Sequence, residues 1–414
     1  MESPAPTPVR PSGPLPLDPL ARTTSWRWVA VVVLAVSTFV VVSSEMLPVG
    51  VLSPMADDLR IGQGTAGLSL TVTGLVTAVT APVVPRLLGS LDRRAVLACA
   101  MVVLAVGNAL TAVARDVGPL MVSRVILGVG MGAVWGLASA VAIRLVAARD
   151  AALAVSVAVS GVAAASVVGV PLGTLVSNAF GWRVAFAALA AAALVLAVAL
   201  LLALPRLPRP SEPTAPTAPS GAVAGAAPRT RPVRVALTLV LLLVTAHFAA
   251  YTYVRPVLEE RTGLTPDGIA VVLLVYGVFG LVGNFAAGAL AARRARGTVL
   301  ALTAGIGASI ALLALVGSWA APTGVGVALW GAAYGGLSVA GQIWLTRSAP
   351  DRVERVTGLY VGVFTAAIAV GAFLGGVVVE AAGVTALLWG AAALTGAALC
   401  VGLRGGDRTS AAPR

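Results

Sequence analysis

Apolar runs of about 20 residues, each long enough to cross ~30 Å of hydrocarbon at 1.5 Å per residue, recur along most of the chain. They can be drawn at 28–50, 66–86, 95–114, 118–143, 152–176 and 182–204, and again at 235–258, 267–291, 298–317, 323–346, 355–379 and 383–403. The pattern predicts an all-α, polytopic membrane protein of twelve spans, with the Ala- and Gly-rich runs 187–204 and 384–403 the hardest to delimit. The longest polar interruption, PRLPRPSEPTAPTAPSGAVAGAAPRTRP from Pro205 to Pro232, divides the spans six and six. The expected organisation is a disordered tail (1–25), a six-helix bundle (26–204), a Pro-rich linker (205–234), a second six-helix bundle (235–404) and a short tail (405–414).

Composition agrees with this pattern: 58% hydrophobic and 11% charged residues, with a mean hydropathy of +0.97 over 414 residues, lie outside the range of water-soluble domains. All 28 basic residues are arginines, and with the amino terminus inside, 22 of them fall in the tails and inner loops. The positive-inside rule then puts both termini in the cytoplasm. The net charge of +12 is therefore topological, and no basic soluble segment with interleaved aromatics suggests nucleic-acid binding. The Pro- and Ser-rich start has no apolar core before Trp26, so the first span is expected to be its own signal anchor. Cys99 and Cys400 have no partner spacing and are expected to be packing residues.

Shifting the second half back by 203 residues aligns Gly74 with Gly277, Arg93 with Arg296, Gly128 with Gly331, Arg144 with Arg347, Arg149 with Arg352 and Gly173 with Gly376. Two related bundles facing each other across a midplane cavity form a transporter plan, in which rocking one bundle exposes the site to each side in turn. Polar stripes should line that cavity. Arg124, Gly128, Met131 and Trp135 share a face of span four, and His247, Tyr251 and Arg255 one of span seven. Tyr276, Gly280 and Asn284 align on span eight, and Tyr334, Ser338 and Gln342 on span ten.

Glu45, deep in span one, needs a reason to be there, because an intramembrane carboxylate is costly. It sits ~25 Å above the inner edge, and Arg124 ~9 Å below the outer one, so the two are expected to couple. A buried carboxylate near a cation can also carry protons as its surroundings alternate; the alternative is that Glu45 caps the SSEMLPVG turn. His247, the sole histidine, either titrates or meets substrate, or is a satisfied core residue. Trp135, Tyr251, Tyr276 and Tyr334 could stack on a flat substrate or be plain core. The glycine pairs in GVGMG (128–132), GVPLG (169–173) and GAFLG (371–375) read as close helix contacts, and Pro171 as a bend in span five. HExxH, GxSxG and phosphate-loop motifs are absent, so no enzyme is indicated.

Residues 26–404 resemble the major facilitator superfamily, and within it the twelve-helix drug:proton antiporters. The resemblance is carried by SVVGVPLGT from Ser166, LMVSRVILGVGMGA from Leu120 and FGWRVAF from Phe180. SSEMLPVGVLSPMADDL from Ser43, LDRRAVL from Leu91, FAAYTYVRPV from Phe248 and WLTRSAPDRVE from Trp344 are similar to its nucleoside, arabinose and sugar exporters. The resemblance implies that Glu45 is the helix-one acid, that Arg124 is the helix-four motif arginine, and that Gly169, Pro171 and Gly173 form the antiporter motif. PRLLGSLDRR from Pro85 departs from the family's signature loop: Gly89 stands at the acid position, with Asp92 beside Arg93 and Arg94 as a substitute one turn later. GALAARRARG from Gly288 also lacks the acid. The implied activity is proton-coupled efflux of a small polar or amphiphilic solute from a monomer in the bacterial cytoplasmic membrane, driven by the proton gradient without a cofactor. Facilitated or proton-symport uptake on the same fold is the alternative.

Overall fold

A computed structural model describes residues 23–87, 91–207, 231–316, 319–349 and 353–404. The expected tails and most of the linker lie outside those residues. Hydrocarbon offers the backbone no hydrogen bonds, so each span must satisfy its own, and the described elements are helical. They are α1 Ser25–Leu59, α2 Gln63–Leu87, α3 Arg93–Val113, α4 Val117–Leu145, α5 Ala151–Ala164, α6 Val170–Phe180 and α7 Trp182–Ala203, then α8 Arg231–Thr252, α9 Val254–Thr262, α10 Pro266–Val316, α11 Ala320–Gly335, α12 Leu337–Ser348 and α13 Val353–Arg404.

Among the described residues, ten helical stretches are long and apolar enough to cross a membrane. Two of them, α10 with 51 residues and α13 with 52, are each long enough to cross twice and break from helical geometry at Arg294 and at Gly383 (φ 78°). The parts of α10 before and after Arg294 line one groove with α11, so α10 is a hairpin. This architecture is consistent with twelve crossings.

Prolines and glycines set the bends. Pro48 and Pro54 lie inside α1, and Val51 between them leaves helical geometry (φ −124°, ψ 16°). Ahead of Pro171, where a bend is expected, Ala165–Gly169 form a single π turn joining α5 to α6. A proline has no N–H to return to the preceding turn, and the wider π turn absorbs that loss. Gly169 faces the Ser43 side chain and Gly173 the Leu47 side chain, and a Cβ at Gly161 would collide with the Ala35 carbonyl, so a small residue there lets this span lie against the backbone of α1.

One apolar core is drawn from residues 30–207. A second is drawn mainly from 233–398, joined by Val49, Leu70 and Val170. A third, between Leu47 and Phe186, includes Ala249, Tyr253 and Leu387 and so joins the halves. Asp92 caps α3 through Arg94 N–H (3.0 Å) and also accepts the Leu207 N–H (2.9 Å), which ties the start of the linker to the first half. Cys99 and Cys400 are free and exposed on outward faces, not packed as expected, because each sits on the side of its helix turned from the bundle.

Candidate functional site

Hydrogen bonds that join the halves cluster at the end of the bundle opposite the termini. Glu380 accepts from Thr65 N (2.9 Å) and Oγ1 (3.1 Å), Asn178 donates to Asp267 (3.2 Å), and Tyr253 Oη approaches the Gly64 carbonyl (3.5 Å). Midway, Thr71 reaches the Ala369 carbonyl (3.4 Å), and a Cβ on Gly277 would meet the backbone of Val167.

Near the middle of the second half, four of the expected residues meet. His247 is fully buried and stacks face to face on Tyr334, with centroids 3.5 Å apart and planes 1° apart. Tyr251 stacks on His247 at 5.3 Å and on Tyr276 at 4.8 Å. Sequence reasoning missed the fifth member, Trp330, which stands edge-on to His247, Tyr251 and Tyr276. It lies one turn before Tyr334, so extending the span-ten stripe backward would have found it.

Trp330 Nε1–H donates to His247 Nδ1 (3.0 Å). An indole nitrogen is only a donor, so Nδ1 accepts and the neutral ring carries its proton on Nε2, which faces Tyr276 Oη (3.5 Å). A second proton on Nδ1 would set two N–H groups against each other. This geometry favours the hydrogen-bonded, neutral reading of His247.

Glu45 is 8% exposed and, among the described residues, its carboxylate has no hydrogen-bond or ion-pair partner. It lies on α1 within electrostatic reach of Tyr334, and the neighbouring Met46 packs against the second half's core. The first half's acid therefore stands near the second half's aromatic cluster.

The expected pairing of Glu45 with Arg124 is not formed. Arg124 is fully buried, donates from Nη1 to the Ser44 carbonyl (3.3 Å) and lies over Phe186 (4.7 Å); among the described residues its Nε and Nη2 have no partner. The cause is local. Pro48 has no N–H for the carbonyl four residues back, which frees Ser44 O to accept the guanidinium. Adjacent helical residues point about 100° apart, so Ser44 faces α3 and α4 while Glu45 turns away. Asn108 Nδ2, donating to Ser44 Oγ (2.9 Å), marks the same face.

Other expected lining residues lie elsewhere. The span-four stripe packs within its own half: Gly128 against Thr73 and Val76, and Met131 and Trp135 with the first core. Arg255 is 4% exposed and sits beyond the break at Tyr253 (φ −106°, ψ 19°), which separates α9 from the stripe of His247 and Tyr251. Asn284 and Gln342 are half-buried and no side-chain hydrogen bond joins them to the cluster. Arg94 donates to the Leu204 carbonyl (3.2 Å) and Asp92 accepts from Leu207, so the start of α3 contacts its own half and the linker; one Arg93 Nη is buried without a partner among the described residues.

The Major Facilitator Superfamily model matches residues 34–336. The chain belongs to the major facilitator superfamily. Membership of this superfamily makes it a membrane transporter and not an enzyme. It is 32% identical over 371 residues to the transcription regulatory protein OpdE of Pseudomonas aeruginosa, covering 89% of this chain and 92% of that protein. It is 30% identical over 368 residues to the purine ribonucleoside efflux pump NepI of Escherichia coli O6:H1, covering 87% and 90%. The superfamily fold is matched by a point mutant of the nucleoside transporter NupG (TM-score 0.73, 12% identity, covering 92% of this chain and 100% of that one). An inward-facing, occupied bacterial homologue of the human lysosomal transporter Spinster also matches (TM-score 0.71, 14% identity, covering 92% and 97%).

Proposed function

We propose that this transporter exports a small, flat, polar solute of the purine ribonucleoside kind in exchange for protons, working by alternating access as a monomer in the bacterial cytoplasmic membrane with both termini inside. The observation that carries the reading is Glu45, a buried intramembrane carboxylate that has no hydrogen-bond or ion-pair partner among the described residues and lies within electrostatic reach of Tyr334 across the seam between the halves. Such a group has no structural debt to another side chain, so it is free to bind a proton or a donor on the cargo as the seam opens. His247 is held as a neutral hydrogen-bonding residue, which leaves the proton to Glu45. Tyr334, Tyr251, Tyr276 and Trp330 offer stacking surface to a flat cargo. Relatives named as purine ribonucleoside efflux pumps support both the direction and the cargo class.

With the termini inside, the end of the bundle closed by the hydrogen bonds of Glu380 with Thr65, Asn178 with Asp267 and Tyr253 with Gly64 is the outer one. The experiment is proton-gradient-driven transport in proteoliposomes, with labelled inosine, arabinose and chloramphenicol side by side, for wild type and Glu45→Gln. Gradient-driven inosine antiport lost in Glu45→Gln is the expected result. Movement that ignores the gradient and survives the substitution would make the protein a facilitator and Glu45 a structural residue.

A further inference from the structure

Pro54 repeats on α1 what Pro48 does one and a half turns earlier: it has no N–H for the carbonyl four residues back, here Gly50 O. That orphan carbonyl is also met by a buried arginine, but from the other half. Arg255 Nη1 donates to Gly50 O (2.5 Å), its Nε to Glu259 Oε1 (2.7 Å), and Nη1 also approaches Asn178 Oδ1 (3.5 Å). Asn178 in turn donates from Nδ2 to Asp267 Oδ1 (3.2 Å). Two first-half acceptors thus hold a second-half guanidinium that the adjacent Glu259 keeps extended.

We infer that Arg255 is the positioning residue of the closed gate, and that Pro54 creates its acceptor by withholding an N–H from the Gly50 carbonyl. A charged donor on a main-chain carbonyl at a proline bend gives a bond that exists only while the halves touch, and Pro54 offers the Gly50 carbonyl no N–H four residues on to take its place. When the halves part, Gly50 O and the guanidinium return to water, so closure is favoured without being irreversible. Restoring an N–H at position 54 lets the helix reclaim the carbonyl, which should disable the latch as surely as removing the arginine. The inference rests on the alternating-access reading, but not on cargo, ion or direction.

The test places spin labels at Arg115 and Glu260, exposed positions of the two halves near this gate, in a Cys99→Ser, Cys400→Ser background. Distances are read by double electron–electron resonance in nanodiscs, without substrate or gradient, on samples that elute as a single folded species. Arg255→Gln and Pro54→Ala are each expected to raise the ratio of long-distance to short-distance conformers about tenfold, the scale of one charged hydrogen bond. The double variant should go no further than the larger single effect, since both remove one contact. Glu259→Gln keeps the carbonyl bond and should shift the ratio less. An unchanged distribution in Arg255→Gln, multiplicative effects in the double variant, or an equal shift in Glu259→Gln would overturn the inference. If Pro54→Ala does not fold, the comparison of Arg255→Gln with Glu259→Gln decides alone. A failed transport assay beside a positive distance result would count against the proposed cargo or ion and leave the gate standing.

Discussion

Replacing Trp330 by Phe tests whether the aromatic cluster is organised around one hydrogen bond or is simply oily packing. Phe keeps a ring in the same slot, so most of the edge-on contacts with His247, Tyr251 and Tyr276 survive; these are worth about 0.5–1.5 kcal/mol each. What disappears is the indole N–H, leaving His247 Nδ1 without its donor at a fully buried position. A stranded buried acceptor costs about 1–3 kcal/mol. In a His247→Leu background the acceptor is already gone, so the same substitution should cost little beyond the change in ring shape. The two substitutions should therefore couple by about 1–3 kcal/mol. The assay is unfolding of the four proteins of the cycle by SDS titration in mixed micelles, with helicity as the signal. Costs that add to within about 0.5 kcal/mol would show that the Trp330–His247 bond contributes nothing, and the argument for a fixed, neutral imidazole would fall with it.

Glu45→Gln should leave helicity and unfolding essentially unchanged, because no partner loses a bond, while gradient-driven transport collapses; equal losses in both would make it structural. Gly371→Ala would put a Cβ 2.5 Å from the Thr245 carbonyl, against backbone that cannot move aside, so a loss of about 1–3 kcal/mol in SDS unfolding is expected. Asp92→Ala removes both the α3 cap and the acceptor for Leu207, costing about 1 kcal/mol, and should speed limited proteolysis just after Leu207; unaltered cleavage would refute the docking role.

The spans were legible because lipid forces one solution on the backbone: long apolar runs must be helices. An irregularity at Pro171 and small-residue contacts in GVPLG were legible for the same local reasons, but the form of the first, a π turn, and the partner of the second, α1, were not. Partner choice was harder to read. Charge alone sent Arg124 to Glu45, the one acid clearly inside a first-half span, yet the guanidinium found a carbonyl. The signal was present in Pro48 and Pro54, each of which names its orphan acceptor four residues back, but which side chain arrives there is a tertiary matter. Spacing by fours carried Arg255 into the cavity with His247 and Tyr251, because a stripe assumes an unbroken helix and Tyr253 breaks it. On span four the same rule found a true face, but one spent on packing against neighbours in its own half.

The unpaired carboxylate and the aromatic cluster are supplied by different halves, one encoded before the Pro-rich linker and one after it. Under the proposed assignment, coupling ion and cargo recognition are then separate genetic modules. A chimera joining residues 1–207 of this chain to the second half of a relative with another cargo would inherit its energy source from one parent and its selectivity from the other. New specificities could arise by recombination at the linker, with no need to rebuild the machinery that powers export.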